Sequence, residues 1–236
     1  SYGVYKSTNR GATWSQVSSG LPGLSEIGFI AVDSQNSQNI YALTYHVYKS
    51  TNGGGSWSAI GSGLEDYTVH CLAIDPQNPQ TVYAGTQYSS YYDFPGGVFM
   101  STNGGTSWSH VGSGLENTTI HCLAIDPQDT QTIYAGDSNG GIYKSTNGGA
   151  TWDKVYSGLT DKYVSKLAVD PEDTQTIYAV TGSGHAYKST NGGADWSQID
   201  HGVTGYITSL AIDPANTQTI YAGTKWDGAT GMGGVF

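Results

Sequence analysis

The chain has 236 residues and a formal net charge of −10, without any cluster of lysine or arginine, so phosphate-driven binding of nucleic acid is excluded. No apolar run approaches the ~20 residues of a membrane span, so membrane insertion is not expected either. Glycine (34 residues), tyrosine (18) and tryptophan (6) are abundant and only 12% of residues are charged, which is typical of turn-rich all-β proteins and argues against long helices.

The chain opens on a short strand-like segment, 3–6, which leads directly into the turn sequence STNRGATW. This turn sequence returns four more times at intervals of 43 to 51 residues. Serine and asparagine side chains hydrogen-bond backbone groups of tight turns, glycine supplies positive φ, and the closing tryptophan packs back on the sheet. We therefore predict a structural role for Ser7, Asn9, Gly11, Trp14, Ser50, Asn52, Gly54, Trp57, Ser101, Asn103, Gly105, Trp108, Ser145, Asn147, Gly149, Trp152, Ser189, Asn191, Gly193 and Trp196.

A second landmark recurs at the same interval, first as IAVDSQNSQNIYAL and then as LAIDPQNPQTVYAG and three close copies. Each unit of about 44 residues therefore predicts four strands. Strand A ends at the aspartate, strand B reads like TVYAG, strand C reads like GVYKS, and strand D starts at the tryptophan. Four-stranded antiparallel units that follow one another without a linker are typical of propeller blades. We predict an all-β fold in which residues 1–236 form a single β-propeller domain of five repeats.

The turn S-T-N-x-G-x-x-W resembles the Asp box, S-x-D-x-G-x-x-W, of the BNR-repeat propellers. That family includes sialidases, two-propeller xyloglucanases, sortilin-like receptors and photosystem assembly factors of the Ycf48 type. The resemblance spans essentially the whole chain and implies the propeller fold, whereas function depends on sites added to that fold. Asparagine stands where the family has aspartate in all five boxes, which removes five charges and weakens any prediction of cation binding there. We predict no cofactor.

Both ends of the chain read as strand C, at 3–6 and at 233–236. In a ring of five blades, strands A and B of the last blade come from 207–224 and its strand D starts at Trp14, so two segments compete for one strand C position. Either terminus fills that position, the spare strand pairs with another molecule, or the chain is part of a longer one with more blades. We expect a closed five-bladed ring.

Catalysis is not expected. Sialidases of the resembling family hold their substrate with three arginines, and this chain has one, Arg10, inside a box, so sialidase activity is excluded. Glycoside hydrolysis by two carboxylates remains the alternative. The aspartates that recur in every repeat shape turns, so better candidates are the acids that break the repeat, although the resembling xyloglucanases place their acids between two propellers and one is predicted here. Those acids are Glu65, Asp66, Asp93, Glu116, Asp137, Asp161 and Asp227.

Sequence variation between repeats is concentrated in the D-to-A and B-to-C loops, which lie on one face of a propeller, here called the variable face. Two B-to-C loops are long, TQYSSYYDFPGG and TKWDGATGMGG. Aromatic side chains beside carboxylates suit the stacking of sugar rings and also suit protein partners. The candidate ligand-binding residues are Asp66, Tyr67, His70, Tyr88, Tyr91, Tyr92, Asp93, His121, Trp226 and Asp227.

The pairs His70–Cys71 and His121–Cys122 occupy matching places on neighbouring inner strands. Side chains related by the ring rotation point the same way, and successive residues of a strand face opposite sides, so four ligands do not converge. We therefore predict neither a metal site nor a disulfide. The cysteines are expected to be small buried hydrophobic residues, and the histidines to line the mouth of the channel.

The sequence favours a non-catalytic binding or structural propeller of the cell surface or exterior, with a glycan or protein partner. Three alternatives stay open. The first is a glycoside hydrolase domain or fragment, the second is a subunit that self-associates through a terminal strand, and the third is a designed repeat protein without an evolved ligand.

Overall fold

The computed structural model describes residues 3–23, 26–92 and 94–225. In these ranges the secondary structure consists of strands and turns, and no helix that could cross a membrane is found there. The strands form four four-stranded and two two-stranded antiparallel sheets. The all-β prediction is thereby confirmed, while the predicted terminal strand at 233–236 lies outside the described residues.

The sheets follow one another along the chain, and within each sheet the strands pair in sequence order. The first half-blade contains β1 (Tyr5–Lys6) and β2 (Ser15–Gln16). Blade 1 contains β3 (Phe29–Val32), β4 (Ile40–Leu43), β5 (Val47–Ser50) and β6 (Ser58–Ile60). Blade 2 contains β7 (Val69–Ile74), β8 (Val82–Thr86), β9 (Gly97–Ser101) and β10 (Ser109–Val111).

The remaining sheets repeat this order. Blade 3 contains β11 (Ile120–Ile125), β12 (Ile133–Asp137), β13 (Ile142–Ser145) and β14 (Asp153–Lys154). Blade 4 contains β15 (Val164–Val169), β16 (Ile177–Thr181), β17 (Ala186–Ser189) and β18 (Ser197–Gln198). The last half-blade contains β19 (Tyr206–Ile212) and β20 (Ile220–Lys225). The A strands of successive sheets are neighbours, and the D strands are exposed at the outer edge.

The turn between strands C and D is built the same way in all five copies. In the second copy, the Ser50 hydroxyl donates to Asn52 Oδ1 at 2.9 Å and accepts from the Gly54 N–H at 2.9 Å. Asn52 Oδ1 also accepts from the Ser56 N–H at 2.8 Å. The first glycine of this turn has a φ of 66–69° in four copies, and Arg10 takes the same left-handed conformation, with a φ of 56°, in the first. These bonds are local, so they define the turn from sequence alone.

The turn between strands A and B links each blade to the next. Its buried aspartate, such as Asp75, accepts from the N–H groups two and three residues on, at 2.8 and 3.0 Å. The glutamine two residues after that aspartate then donates its side-chain amide to two backbone carbonyls of the following blade. This glutamine ladder runs from Gln35 to the turn of blade 2, from Gln77 to blade 3 and from Gln128 to blade 4, at 2.9–3.2 Å.

The ladder stops at Glu172, which occupies the glutamine position in blade 4. A carboxylate cannot donate to carbonyl oxygens, so we expect Glu172→Gln to extend the ladder to the last half-blade and to raise the free energy of unfolding by about 0.5–1 kcal/mol. Urea unfolding at neutral pH measures the change. Glu26→Gln, at another exposed acid, is the control for loss of one negative charge, and an equal rise in both variants would contradict the ladder.

The hydrophobic core lies between the blades rather than within them. Trp57, Trp108, Trp152 and Trp196 are only 4–6% exposed, because each packs against the preceding blade. The strand B tyrosines add a polar link in the same direction. Tyr41, Tyr83 and Tyr134 donate their hydroxyls to the turn glycine of the next blade, at 3.0–3.2 Å. Neighbouring blades are therefore joined by an apolar layer with hydrogen bonds at one rim.

The two ends of this stack expose the same kinds of residue that are buried inside it. Trp14 is 63% exposed and Tyr221 is 50% exposed, whereas their counterparts within the stack are buried. Trp196 donates its Nε1–H to the Val155 carbonyl of the preceding blade, and by repeat position Trp14 would meet Ile199, which is 39% exposed. The two end surfaces are therefore complementary. No pairing joins β20 to β1 in the described residues, so the structure does not establish the predicted closed ring of five blades.

Candidate functional site

The long B-to-C loop of blade 2 is fixed on the variable face by backbone hydrogen bonds. Ser89 and Phe94 exchange both of their N–H···O=C bonds, at 3.1 and 2.9 Å, which makes a small hairpin at the tip. Its base is tied to the two neighbouring D-to-A loops. The Gln87 N–H donates to the Thr68 carbonyl, and the Tyr88 N–H donates to the Thr119 hydroxyl at 3.0 Å. At the other end of the loop the Gly97 N–H donates to the Thr118 carbonyl at 2.9 Å, so the loop is held at both ends although it is long.

This hairpin presents a group of aromatic rings, here called the aromatic patch: Tyr67, Tyr91, Tyr92 and Phe94. Tyr91 and Tyr92 meet edge to face with their centroids 4.8 Å apart, and the rings of Tyr92 and Phe94 stack at 5.7 Å. Tyr67 lies 5.0 Å from Phe94 and 4.6 Å from the buried Phe99. Tyr91 is 86% exposed and Tyr92 is 65% exposed, so the patch offers apolar surface to a partner.

Two histidines form a second group on the inner strands. The register of strand A shifts between Val69 and Cys71 and again between Ile120 and Cys122, which places His70 and His121 at β-bulges. A bulge redirects the side chain at its position. The rings of His70 and His121 lie side by side with centroids 4.6 Å apart, and Tyr163 lies 4.9 Å from His121. The sequence prediction brought these two histidines to the same region, and the structure places them in contact.

The surroundings of both histidines favour the neutral ring. Burial lowers the pKa of His70, and the neighbouring His121 lowers it further. Burial also lowers the pKa of His121, where the attraction of Asp137 opposes the shift and Lys166 adds to it. Both rings are therefore uncharged near neutral pH, and protonation of the pair would place two positive charges side by side.

These shifts predict a loss of stability in mild acid. A histidine whose pKa is lowered by folding binds protons more readily in the unfolded chain, so stability falls as the pH drops below the unfolded value of about 6.5. We expect the urea midpoint of the wild type to fall between pH 7.5 and pH 5. His121→Gln should lose much of that dependence, and His201→Gln, at an exposed position, should keep it. If the urea midpoint of His121→Gln depends on pH as strongly as that of the wild type, the histidine pair is not the cause of the acid destabilisation.

Most acids that break the repeat already bind backbone donors. Glu65 and Glu116 accept from the N–H groups of Gly63 and Gly114, and backbone hydrogen bonds lower the pKa of both carboxyls. The buried Asp137 accepts from the N–H groups of Thr119 and Ser138. These contacts are those of loop-shaping residues.

Asp161 and Asp66 differ from each other in setting. Burial opposes ionisation of Asp161, but hydrogen bonds from Tyr163 and Ser183 outweigh it and lower the pKa of this carboxyl. Asp66 is exposed on the D-to-A loop that follows blade 1.

Of the other predicted ligand residues, Tyr88 is half-buried at the base of the hairpin, and Asp93, Trp226 and Asp227 lie outside the described residues.

Both cysteines are buried free thiols. Burial raises the pKa of Cys71 to about 12 and also raises the pKa of Cys122, so neither thiol is ionised at neutral pH. Among the described residues, no group of three or more histidine, cysteine, aspartate or glutamate side chains is placed to hold a metal ion.

One arrangement was missed by the sequence reasoning. His185 Nδ1 lies 2.7 Å from Asp200 Oδ2 beside a pocket of about 300 Å³ on the rim of the variable face. Burial raises the pKa of Asp200, but hydrogen bonds from His185 and Gln198 outweigh it and lower the value overall. The two residues are 15 positions apart in different loops, and no local motif joins them. Comparison of equivalent positions in the five repeats is the only sequence signal, because His185 and Asp200 replace glycine or small residues of most other copies.

Comparisons with known proteins agree with the propeller prediction. A family model described as Sortilin-Vps10 (Sortilin, neurotensin receptor 3) matches residues 96–229, more than half of the chain. A search of curated proteins found no match. The family match and the structural similarities below confirm the propeller resemblance inferred from the repeats.

Three solved structures are similar over nearly the whole chain. The crystal structure of an ancestral GH74 enzyme is 27% identical with a TM-score of 0.75, and that of the Niastella koreensis GH74 enzyme is 25% identical with a TM-score of 0.73. They cover 94% and 95% of this chain, which spans 32% and 38% of theirs. A structure of YCF48 bound to D1 peptide is 19% identical with a TM-score of 0.64, covering 92% of this chain and 67% of that one. The chain thus spans about a third of the length of the two GH74 enzymes.

Proposed function

Because the chain belongs to the Sortilin-Vps10 family, we propose that it is a non-catalytic β-propeller that binds a protein partner through its variable face. The observation that carries this proposal is the aromatic patch. Exposed tyrosines on a loop held by backbone hydrogen bonds lose little conformational freedom on binding, and tyrosine is enriched among the residues that dominate protein interfaces. A structure of YCF48 with a bound peptide has the same fold, which is compatible with this use of a propeller.

We further propose an extracellular or cell-surface location, with a glycan as the second candidate ligand. Aromatic rings beside Asp66 would also suit a sugar, whose C–H face stacks while its hydroxyls need acceptors. The formal charge of −10 favours a partner with a basic surface, because charge complementarity speeds association and excludes acidic competitors.

Hydrolysis is the second candidate, and the similarity to GH74 enzymes at 25–27% identity is the observation that favours it. It requires two carboxylates aimed at one cleft. Glu65, Glu116, Asp137 and Asp161 hold backbone N–H groups instead. Hydrolysis of a β-glucan such as xyloglucan by the purified chain, abolished when one of these four acids is replaced by alanine, would replace the binding proposal.

Binding is tested by screening the chain against a peptide display library and a glycan array, followed by measurement of Kd for the best ligand. We expect a peptide ligand whose affinity falls about tenfold or more in the double variant Tyr91→Ala/Tyr92→Ala. The matched control is Tyr45→Ala, which removes a tyrosine that is 81% exposed on a short B-to-C loop. Equal losses in both variants, or selection of glycans alone, would contradict a protein site at the aromatic patch.

We also propose that the two half-blades join into a fifth blade. The end surfaces carry complementary residues. Within the stack Trp196 donates to the Val155 carbonyl of the preceding blade. The exposed Trp14 and Ile199 occupy the same two repeat positions at the opposite ends of the stack. Closure would bury the exposed Trp14 and Tyr221. A monomer in solution with both residues protected is expected. A dimer that dissociates when residues 233–236 are deleted would favour the alternative in which a terminal strand joins two molecules.

A further inference from the structure

Between blades 1 and 2, at the rim of the variable face, lies an open slot with a volume of about 580 Å³. Its floor is apolar and includes Val47, Ile60, Leu64 and Val69, all in or beside the core of this interface. Its rim carries His46 and Glu65. Tyr67 of the aromatic patch is on the same D-to-A loop as Leu64 and Glu65 and packs against the same blade 1–2 core as the floor of the slot.

The slot is open where the end of strand D carries no side chain. Gly61 occupies the position of Tyr156 in blade 3 and Asp200 in blade 4, and an added Cβ at Gly61 would meet only Leu64 Cβ within 4 Å, at 3.8 Å. Blade 2 also has glycine at this position, but an added Cβ at Gly112 would lie 2.9 Å from Trp152 Nε1, so the next blade closes that space. Blade 1 therefore leaves the space unfilled.

Blade 3 shows what kind of group fits at this position. In blade 3 the ring of Tyr156 packs against the core of the blade 3–4 interface. A cation from the following D-to-A loop completes that arrangement, since Lys162 Nζ lies 4.9 Å from the centre of the Tyr156 ring.

Blade 1 supplies neither the ring nor the cation. Its residue in the place of Lys162 is Tyr67, and the acids Glu65 and Asp66 precede it on the loop. An incoming aromatic ring would therefore find an apolar floor and an acidic rim. A lysine or arginine next to that ring on the partner would complement this charge, in the way that Lys162 covers Tyr156.

We propose that this slot receives one aromatic side chain of a protein partner, next to a lysine or arginine of the same partner. The slot is then the anchor pocket of the interface whose outer part is the aromatic patch, so the inference rests on the proposed function. Burial of one ring in a preformed apolar pocket surrounded by weaker contacts is the usual arrangement of an interface anchor.

The probe is the blocked tripeptide acetyl-Lys-Tyr-Lys-amide, titrated into isotope-labelled chain and followed by NMR. We expect saturable shifts at the amides of Gly61, Leu64 and Val69. Ile60→Trp, whose side chain lies on the slot face of strand D beside Val47 and would fill the slot from within, should weaken binding about tenfold or more. Ser58→Trp, on the same strand but exposed and outside the slot, should leave the affinity unchanged.

Equal affinity for acetyl-Lys-Ala-Lys-amide would overturn the inference, because charge alone would then explain the binding. Unchanged affinity in Ile60→Trp would also overturn it. The double variant Tyr91→Ala/Tyr92→Ala should still bind the tripeptide while losing the selected partner. Failure of the slot alone would thus appear as partner binding that depends on the patch but not on Ile60, which leaves the proposed function standing.

Discussion

Replacing Trp152 by alanine is expected to lower the free energy of unfolding by about 3–5 kcal/mol. Trp152 is 5% exposed and fills the space between blades 2 and 3, where it packs with Tyr83, Val98 and Leu115. Its Nε1–H also donates to the Gly149 carbonyl at 2.9 Å. Alanine would leave a cavity between two rigid sheets that have little freedom to collapse.

Urea unfolding followed by far-ultraviolet circular dichroism measures this loss, since removal of a tryptophan changes the fluorescence signal. Trp152→Phe keeps an aromatic ring at the position and should cost less than half as much. A cost below about 1 kcal/mol for Trp152→Ala would show that blades 2 and 3 do not depend on this contact.

Gly158→Ala is expected to lower the free energy of unfolding by about 3 kcal/mol or more, although it adds a single methyl group. Gly158 has a φ of 90°, which is left-handed and disfavours any side chain. An added Cβ would also overlap the backbone carbonyl of Trp196 in the next blade. The two blades are joined at this point by the Trp196 N–H, which donates to the Ser157 carbonyl at 2.8 Å, so they cannot separate without loss of that bond.

The control for Gly158→Ala is Gly28→Ala. Gly28 has no heavy atom within 4 Å of an added Cβ and does not need a left-handed conformation. We expect Gly28→Ala to change the free energy of unfolding by less than about 0.5 kcal/mol. A similar loss at both positions would contradict the steric argument.

The end copies of these two residues test the proposed ring closure. Trp14 is exposed in the structure, and an added Cβ at Gly202, which occupies the repeat position of Gly158, meets nothing within 4 Å. If the half-blades join, Trp14→Ala and Gly202→Ala should lower the free energy of unfolding about as much as Trp152→Ala and Gly158→Ala do. Small losses at both positions would show that the ends remain apart.

The sequence was sufficient to predict the strands and turns because the signals that define them are local. The box from Ser50 to Trp57 contains its own donors, acceptors and left-handed glycines, and the turn at Asp75 is closed by the two N–H groups that follow it. Stacking of the blades then follows, because each sheet has two apolar faces. The candidate aromatic residues were found where the repeat breaks.

Contacts between different repeats were harder to predict. The side-by-side packing of His70 and His121 depends on bulges that no turn residue announces, and the pairing of His185 with Asp200 joins two loops. The slot at Gly61 is defined by missing volume, which becomes visible only when the neighbouring blade is in place. Closure of the ring likewise depends on how two distant ends fit together.

The glutamine ladder also bears on how such a chain changes through gene duplication. Its donors are side chains, but its acceptors are main-chain carbonyl oxygens, such as those of Pro127 and Gln128. A newly copied repeat would therefore bring its own donor and offer an acceptor that does not depend on its side chains. The number of repeats could increase or decrease without compensating substitutions elsewhere, which leaves the loops of any one copy free to diverge toward a new partner.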